Sequence, residues 1–198
     1  GDPGPFLTQY AGIVRNMPDL EAAAAGRGVF SFAAERDDVV RRVPAVLAAQ
    51  GVALPSLAIE TLRVATNTPT VLLRRDAAGV SNLVVAGVEI PTDQNANLWL
   101  HFTRHSAARF VSAADVLARR AAPDAVRGRI VIVGASAAGL FDRRATPLDP
   151  AIPGAEIHAQ AIENILGKAL LTRPHYAVAP EVIVIGGQPR RAVVPAFG

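Results

Sequence analysis

Apolar positions along the chain recur with two periods, and the switch between them predicts most of its elements. An alanine-rich stretch at 19–25 predicts a short helix that closes at Gly26. Residues 29–32 alternate as a strand does, and 39–47 are rich in β-branched side chains, with Pro44 marking an edge or an ending. Ser56 stands where an N-cap belongs, ahead of a helix to about Thr66 with Leu57, Ile59, Leu62 and Val64 as its apolar positions. Strands are expected at 70–75, 83–90 and 98–102. Ser112 is a candidate cap for a helix over 112–121, with Asp115 at the capping-box position and Pro123 beyond its end. Residues 129–133 are an unbroken β-branched run, the pattern of a strand covered on both faces. A last helix is expected over 154–166, with Gly167 as its terminator.

Helix, strand, loop and helix in that order predict an α/β fold: a mixed, mostly central β-sheet flanked by helices, in a single domain. The 198 residues suffice for one domain with its own core. No internal repeat or low-complexity segment interrupts the pattern.

Composition removes several kinds of chemistry. With no cysteine there is no disulfide, thiolate metal site or cysteine nucleophile. The net charge of +3 is uneven: residues 1–99 hold 8 basic and 10 acidic groups, residues 100–198 hold 12 and 7. The arginines come in scattered pairs (Arg41–Arg42, Arg74–Arg75, Arg119–Arg120, Arg143–Arg144, Arg190–Arg191) and aromatics are 5%, so no basic stripe with stacking rings points to nucleic acid. The first residues carry neither a basic leader nor an apolar run. The most apolar stretch, 176–187, is broken by Pro180 and Glu181 and is shorter than the ~20 residues a membrane helix needs.

The densest information lies at 127–142, where the β-branched run meets a small-residue turn, Gly134-Ala135-Ser136-Ala137-Ala138-Gly139, followed by Asp142. Such a turn exposes backbone N–H groups beyond a strand's C-terminal end, where α/β folds place ligands. A dinucleotide fingerprint needs glycine at Ser136 and a helix at once, and Pro147, Pro150 and Pro153 make the next stretch a loop. A nucleophile elbow needs glycine at Ala138, and its triad would join Ser136, Asp142 or Asp149, and His158 over unusually short separations. Two further readings stand beside these: a pocket for a small anion or polar ligand lined by these amides and the Ser136 hydroxyl, or a packing turn with no chemistry.

His158 lies at the margin of an apolar stripe formed by Ile157, Ala161, Ile162 and Ile165, opposite a polar face of Glu156, Gln160 and Glu163. It is read either as a core-edge histidine bonded to the preceding loop through Asp142 or Thr146, or as a ligand or proton sensor. No second ligand stands four residues away to make a metal pair. His101 and His105, with Asp93 upstream, carry no metal motif and lie too far apart along a strand.

Ordered blocks across the chain resemble the CHASE sensory domains of the second type. They are Gly26-Arg27-Gly28-Val29-Phe30, then Asp37-Asp38-Val39-Val40-Arg41-Arg42-Val43-Pro44, Ser56-Leu57-Ala58-Ile59-Glu60 and Val111-Ser112-Ala113-Ala114-Asp115-Val116-Leu117. The last block runs from Arg127 to Gly139, then Asp142, Thr146-Pro147, Pro153-Gly154 and Glu156-Ile157-His158-Ala159. The resemblance covers roughly 20–174; Asp38 stands where the family commonly has glycine, and 76–97 match no block.

The resemblance implies an extracytoplasmic sensor at 1–175, with 176–198 a tail approaching a membrane segment or a chain end. It implies a membrane-bound bacterial protein with a cyclase or kinase output, membrane helices flanking the domain, and a homodimer. The domain itself would be no enzyme and need no metal or cofactor. Its partner would be a small-molecule ligand, and the candidate ligand-binding residues are Gly134, Ser136, Gly139, Asp142, Thr146 and His158. The alternatives are a secreted esterase using Ser136 and His158, and a ligand-free dimerisation module.

Overall fold

The helix expected after Ser56 forms for the reason its sequence supplies. The Ser56 hydroxyl accepts the amide of Ile59 at 3.5 Å, and α2 (Leu57–Ala65) runs from there, burying Ala58, Ile59 and Leu62. The computed structural model describes residue 2 and residues 4–32, 35–135 and 142–172. The chain is mixed α/β, and among the described residues its strands are divided among four small sheets.

In the first sheet, β3 (Val46–Ala49) lies between β1 (Gln9–Tyr10, parallel) and β4 (Val52–Pro55, antiparallel). All four residues of β3 are buried. Gln50 and Gly51 turn the chain into β4 with φ of 52° and 77°, the left-handed pair that a two-residue hairpin requires. In a second sheet β2 (Arg42–Pro44) pairs with β8 (Asn97–Trp99), placing Arg42 opposite Trp99. The run 39–47 is therefore two strands, and Pro44 is an ending: Ala45 leaves the ladder and gives its amide to Ala96 at 2.8 Å.

A third sheet is the meander β5 (Leu72–Arg75), β6 (Val80–Val85) and β7 (Val88–Pro91). The expected strand at 83–90 is a hairpin here, because Ala86 and Gly87 adopt φ of 52° and 79°. A fourth, minimal sheet joins β9 (Arg143–Arg144) to β10 (Ile152–Pro153). Residues 29–32 contribute a single bridge from Val29 to Ser56.

α1 (Pro18–Ala23) and α3 (Ala113–Leu117) are short and bury nothing, and Ser112 makes no capping bond. α4 (Gly154–Leu166) is the long helix and spans the predicted residues. It stops as expected, although the left-handed residue is Lys168, at φ 53°, rather than Gly167. α2 and α4 pack together, and their apolar faces join Leu83, Ile90, Leu98 and Ile152 in one core.

The structure corrects the reading of 129–133. Among the described residues these form no hydrogen-bonded ladder, and Ile130, Val131 and Val133 are 42%, 55% and 91% exposed. Only Ile132 packs on the core. A run apolar on both faces is covered only when elements lie on both sides of it, and here the described chain supplies one side.

Candidate functional site

Three of the six predicted site residues meet at the first turn of α4. Asp142 approaches from the preceding loop: its carbonyl accepts the Gly154 amide at 2.8 Å. Its carboxylate lies where any side chain on Gly154 would go, 2.4 Å from the position of a Cβ. Gly134 is pressed on the next residue, so that a Cβ there would come within 2.5 Å of the Ala155 methyl group. One turn further along, His158 is 4% exposed.

The His158 ring is held on one side only. Nε2 lies 2.9 Å from the Phe30 carbonyl oxygen, so it carries the proton and donates. Phe32 packs against it at a tilt, 5.4 Å between ring centroids, with the Arg144 guanidinium 6.0 Å from the Phe32 centroid. Nδ1 is buried and has no hydrogen-bond partner among the described residues. Burial pushes the imidazole below its ordinary pKa, against the opposing pull of the Phe30 bond and the Asp142 charge.

Thr146 is buried but works elsewhere. Its amide donates to the Asp149 carbonyl at 2.8 Å and its hydroxyl accepts the Asp149 amide at 3.2 Å, stapling the loop 146–149. Ser136 and Gly139 lie outside the described residues, as does the division of the chain at 175. His158 is bonded to Phe30 rather than to Asp142 or Thr146, so the expected link to the preceding loop is electrostatic.

Of the polar face expected on α4, Glu163 is exposed, whereas Glu156 and Gln160 are buried in line with Asn164. Glu156, Gln160 and Asn164, four residues apart on α4, are all buried, and they face the extended chain that follows β8. Asn164 Oδ1 accepts the His101 amide at 2.8 Å and Nδ2 donates to the His101 carbonyl at 3.1 Å. Gln160 repeats this on Thr103, at 2.9 and 3.1 Å. Glu156 meets His105 Nδ1 at 2.5 Å and Arg109 at 3.4 Å. Asp149 takes the His105 amide at 2.9 Å, and Arg109 also reaches Glu163 at 3.1 Å.

The signal for this ladder was the i, i+4, i+8 spacing of three polar residues on one stripe. Asp93, for its part, binds Arg42, Asn95 and Asn97 and neither histidine. Among the described residues no group of three or more His, Asp or Glu is placed to hold a metal ion. No described helix is long and apolar enough to cross a membrane.

The corner at Gly134, Asp142 and His158 thus offers an unsatisfied ring nitrogen, a carboxylate and a helix start at one place. It provides polar recognition groups, with Nε2 held by Phe30; the acyl-transfer alternative turns on Ser136, which lies outside the described residues. A family model described as the CHASE2 domain matches residues 6–187. No curated protein and no solved structure matches the chain.

Proposed function

The chain belongs to the CHASE2 domain family, a family of extracytoplasmic sensors, and from that premise we propose that it is the signal-input domain of a membrane-bound bacterial signalling protein. On this reading the domain faces the periplasm or the cell exterior, flanking segments anchor it as a homodimer, and the output is a nucleotide cyclase or a sensor kinase.

The observation that carries the reading is the buried, unpartnered Nδ1 of His158 beside Asp142. A buried polar atom without a partner costs about 1–3 kcal/mol. A ligand or rearrangement that satisfies it favours one packing of Gly134 and Asp142 against α4. The ligand shifts the output by its differential affinity for the two packings, on the order of 1–3 kcal/mol.

The test uses the full-length protein in membranes, with Ser136→Ala and Asp142→Asn read by output activity and by thermal unfolding. The expected result is an altered output in variants that unfold as the parent does. Two variants that fold and signal like the parent remove the corner as the input site. A gene with no hydrophobic segments beside this domain removes the membrane-sensor reading itself.

A further inference from the structure

The chain that covers His158 is tied firmly to α2 and lightly to α4. The Val29 amide donates to the Pro55 carbonyl at 2.9 Å, and the Val29 carbonyl accepts the Leu57 amide at 2.8 Å. Gly28 sits so close to the start of α2 that a Cβ there would come within 2.6 Å of the Leu57 backbone. Beyond this anchor the ladder stops, and residues 30–32 belong to no strand. The Phe30 side chain is 72% exposed, and Phe32 is half-buried against the core. The bond from His158 Nε2 to the Phe30 carbonyl ties this stretch to α4. We propose that the proton is the signal read at this corner, a step that rests on the signal-input reading above: acidification charges His158 and frees residues 30–32 from α4.

Histidine is the side chain whose charge ordinarily changes between about pH 5 and about pH 8. The neutral ring fits its place, because Nε2 has an acceptor. A second proton goes to Nδ1, which is buried without an acceptor among the described residues. A buried charge without a bonded partner is costly, and water relieves it. The charged neighbours do not supply that bond. Asp142 attracts the ring but makes no hydrogen bond to Nδ1. Arg144 stands over the Phe32 ring with a charge of the same sign as the imidazolium. From α2 come the apolar Ala58, Ile59 and Leu62, and its Glu60 is engaged by Arg63 and the Arg27 amide. Hydrating the ring therefore means displacing the cover that no ladder holds.

Acid leaves the opposite face of α4 gripped. Gln160 holds Thr103 and Asn164 holds His101 through carboxamides, which take up no proton in this range. Glu156 faces two bases, His105 and Arg109. The proton thus loosens α4 on one side only.

The experiment follows amide shifts and 15N relaxation of the 198-residue chain from about pH 7.5 to about pH 5. The same scan is run on His158→Gln, whose carboxamide keeps a donor for Phe30 and takes no proton. Amides 30–32 are expected to lose order with the midpoint of the His158 ring 15N signal, and to hold still in the variant. The Leu57 and Thr103 amides and the circular dichroism are expected to stay constant in both. In membranes, the output of the full-length parent is expected to change about fivefold or more over this range of external pH, the low end of an allosteric coupling, and that of His158→Gln to stay flat. Four results overturn the proposal: amides 30–32 that stay ordered, a midpoint that differs from that of the ring, the same loss in His158→Gln, or an output indifferent to external pH. The midpoint comparison needs the parent alone, so it decides even where the variant does not fold. Each of these leaves the signal-input reading to the Ser136 and Asp142 variants.

Discussion

His158 donates its Nε2 proton to the Phe30 carbonyl at 2.9 Å, and that bond fixes which nitrogen is left without a partner. Because a carbonyl can only accept, the neutral ring presents Nδ1 as a bare acceptor inside the fold. Protonation would bury a charge whose nearest compensation is Asp142.

The pH dependence follows from the direction of that shift. The folded-state pKa lies below the ordinary 6.5, so the unfolded chain takes up the proton first as pH falls. The contribution of His158 to stability is full above 6.5 and declines as pH drops through that value toward the folded pKa. Urea unfolding between about pH 7.5 and about pH 5 is expected to show a loss of stability that is smaller in His158→Gln, which retains a donor for Phe30. Equal slopes for the parent and the variant would show that the ring takes up its proton equally in the folded and unfolded states.

Gly154 and Asp142 are coupled by contact. Gly154→Ala places a methyl group 2.4 Å from a carboxylate oxygen, and overpacking of this kind costs about 1–3 kcal/mol. The cost is expected to shrink in the Asp142→Ala background, where the oxygen is gone. A double-mutant cycle in urea measures the difference, and strict additivity would place the two residues apart.

Asp38 stands where the family's motif commonly carries glycine, and the backbone explains that preference: its φ is 60°. Aspartate tolerates the left-handed region better than most residues and glycine occupies it freely. Asp38→Gly is expected to stabilise the chain by about 0.5–1 kcal/mol. The neighbouring fork, in which Arg41 grips Asp37 at 2.9 and 2.7 Å and holds its carboxyl at about 2, is expected to persist. A fall in the unfolding midpoint would mean that the Asp38 side chain contributes a bond of its own.

The ladder between α4 and the chain after β8 predicts a larger effect. Asn164→Ala leaves both polar groups of the His101 peptide without their protein partner, at a cost of about 1–3 kcal/mol. Hydrogen exchange at the His101 amide is expected to quicken with it. Unchanged protection would show that water replaces the carboxamide without loss.

The helices α2 and α4 and the strands β5 and β8 were legible because local chemistry decides them. Ser56 and the stripes of α2 and α4 act within a few residues of themselves. Turns that rest on left-handed alanine or glutamine were not legible, since Ala86 and Gln50 advertise no such φ. The CHASE2 assignment was legible from ordered blocks, and the family match over 6–187 bears it out. At the candidate site, the convergence of Gly134 and Asp142 on α4 follows from close approaches that composition cannot encode. The burial of Glu156, Gln160 and Asn164 was hidden for a different reason. A polar stripe looks solvated until an extended backbone without a strand partner lies along it.

That stripe has a mechanical corollary. Four residues of helix rise about 6 Å and two residues of extended chain about 6.8 Å, so the side-chain amides keep pace with alternate peptides. Between those coincidences each carboxamide would face a side chain instead of a peptide. α4 therefore travels along this track in a whole notch or stays put, which makes it a detent instead of a slide.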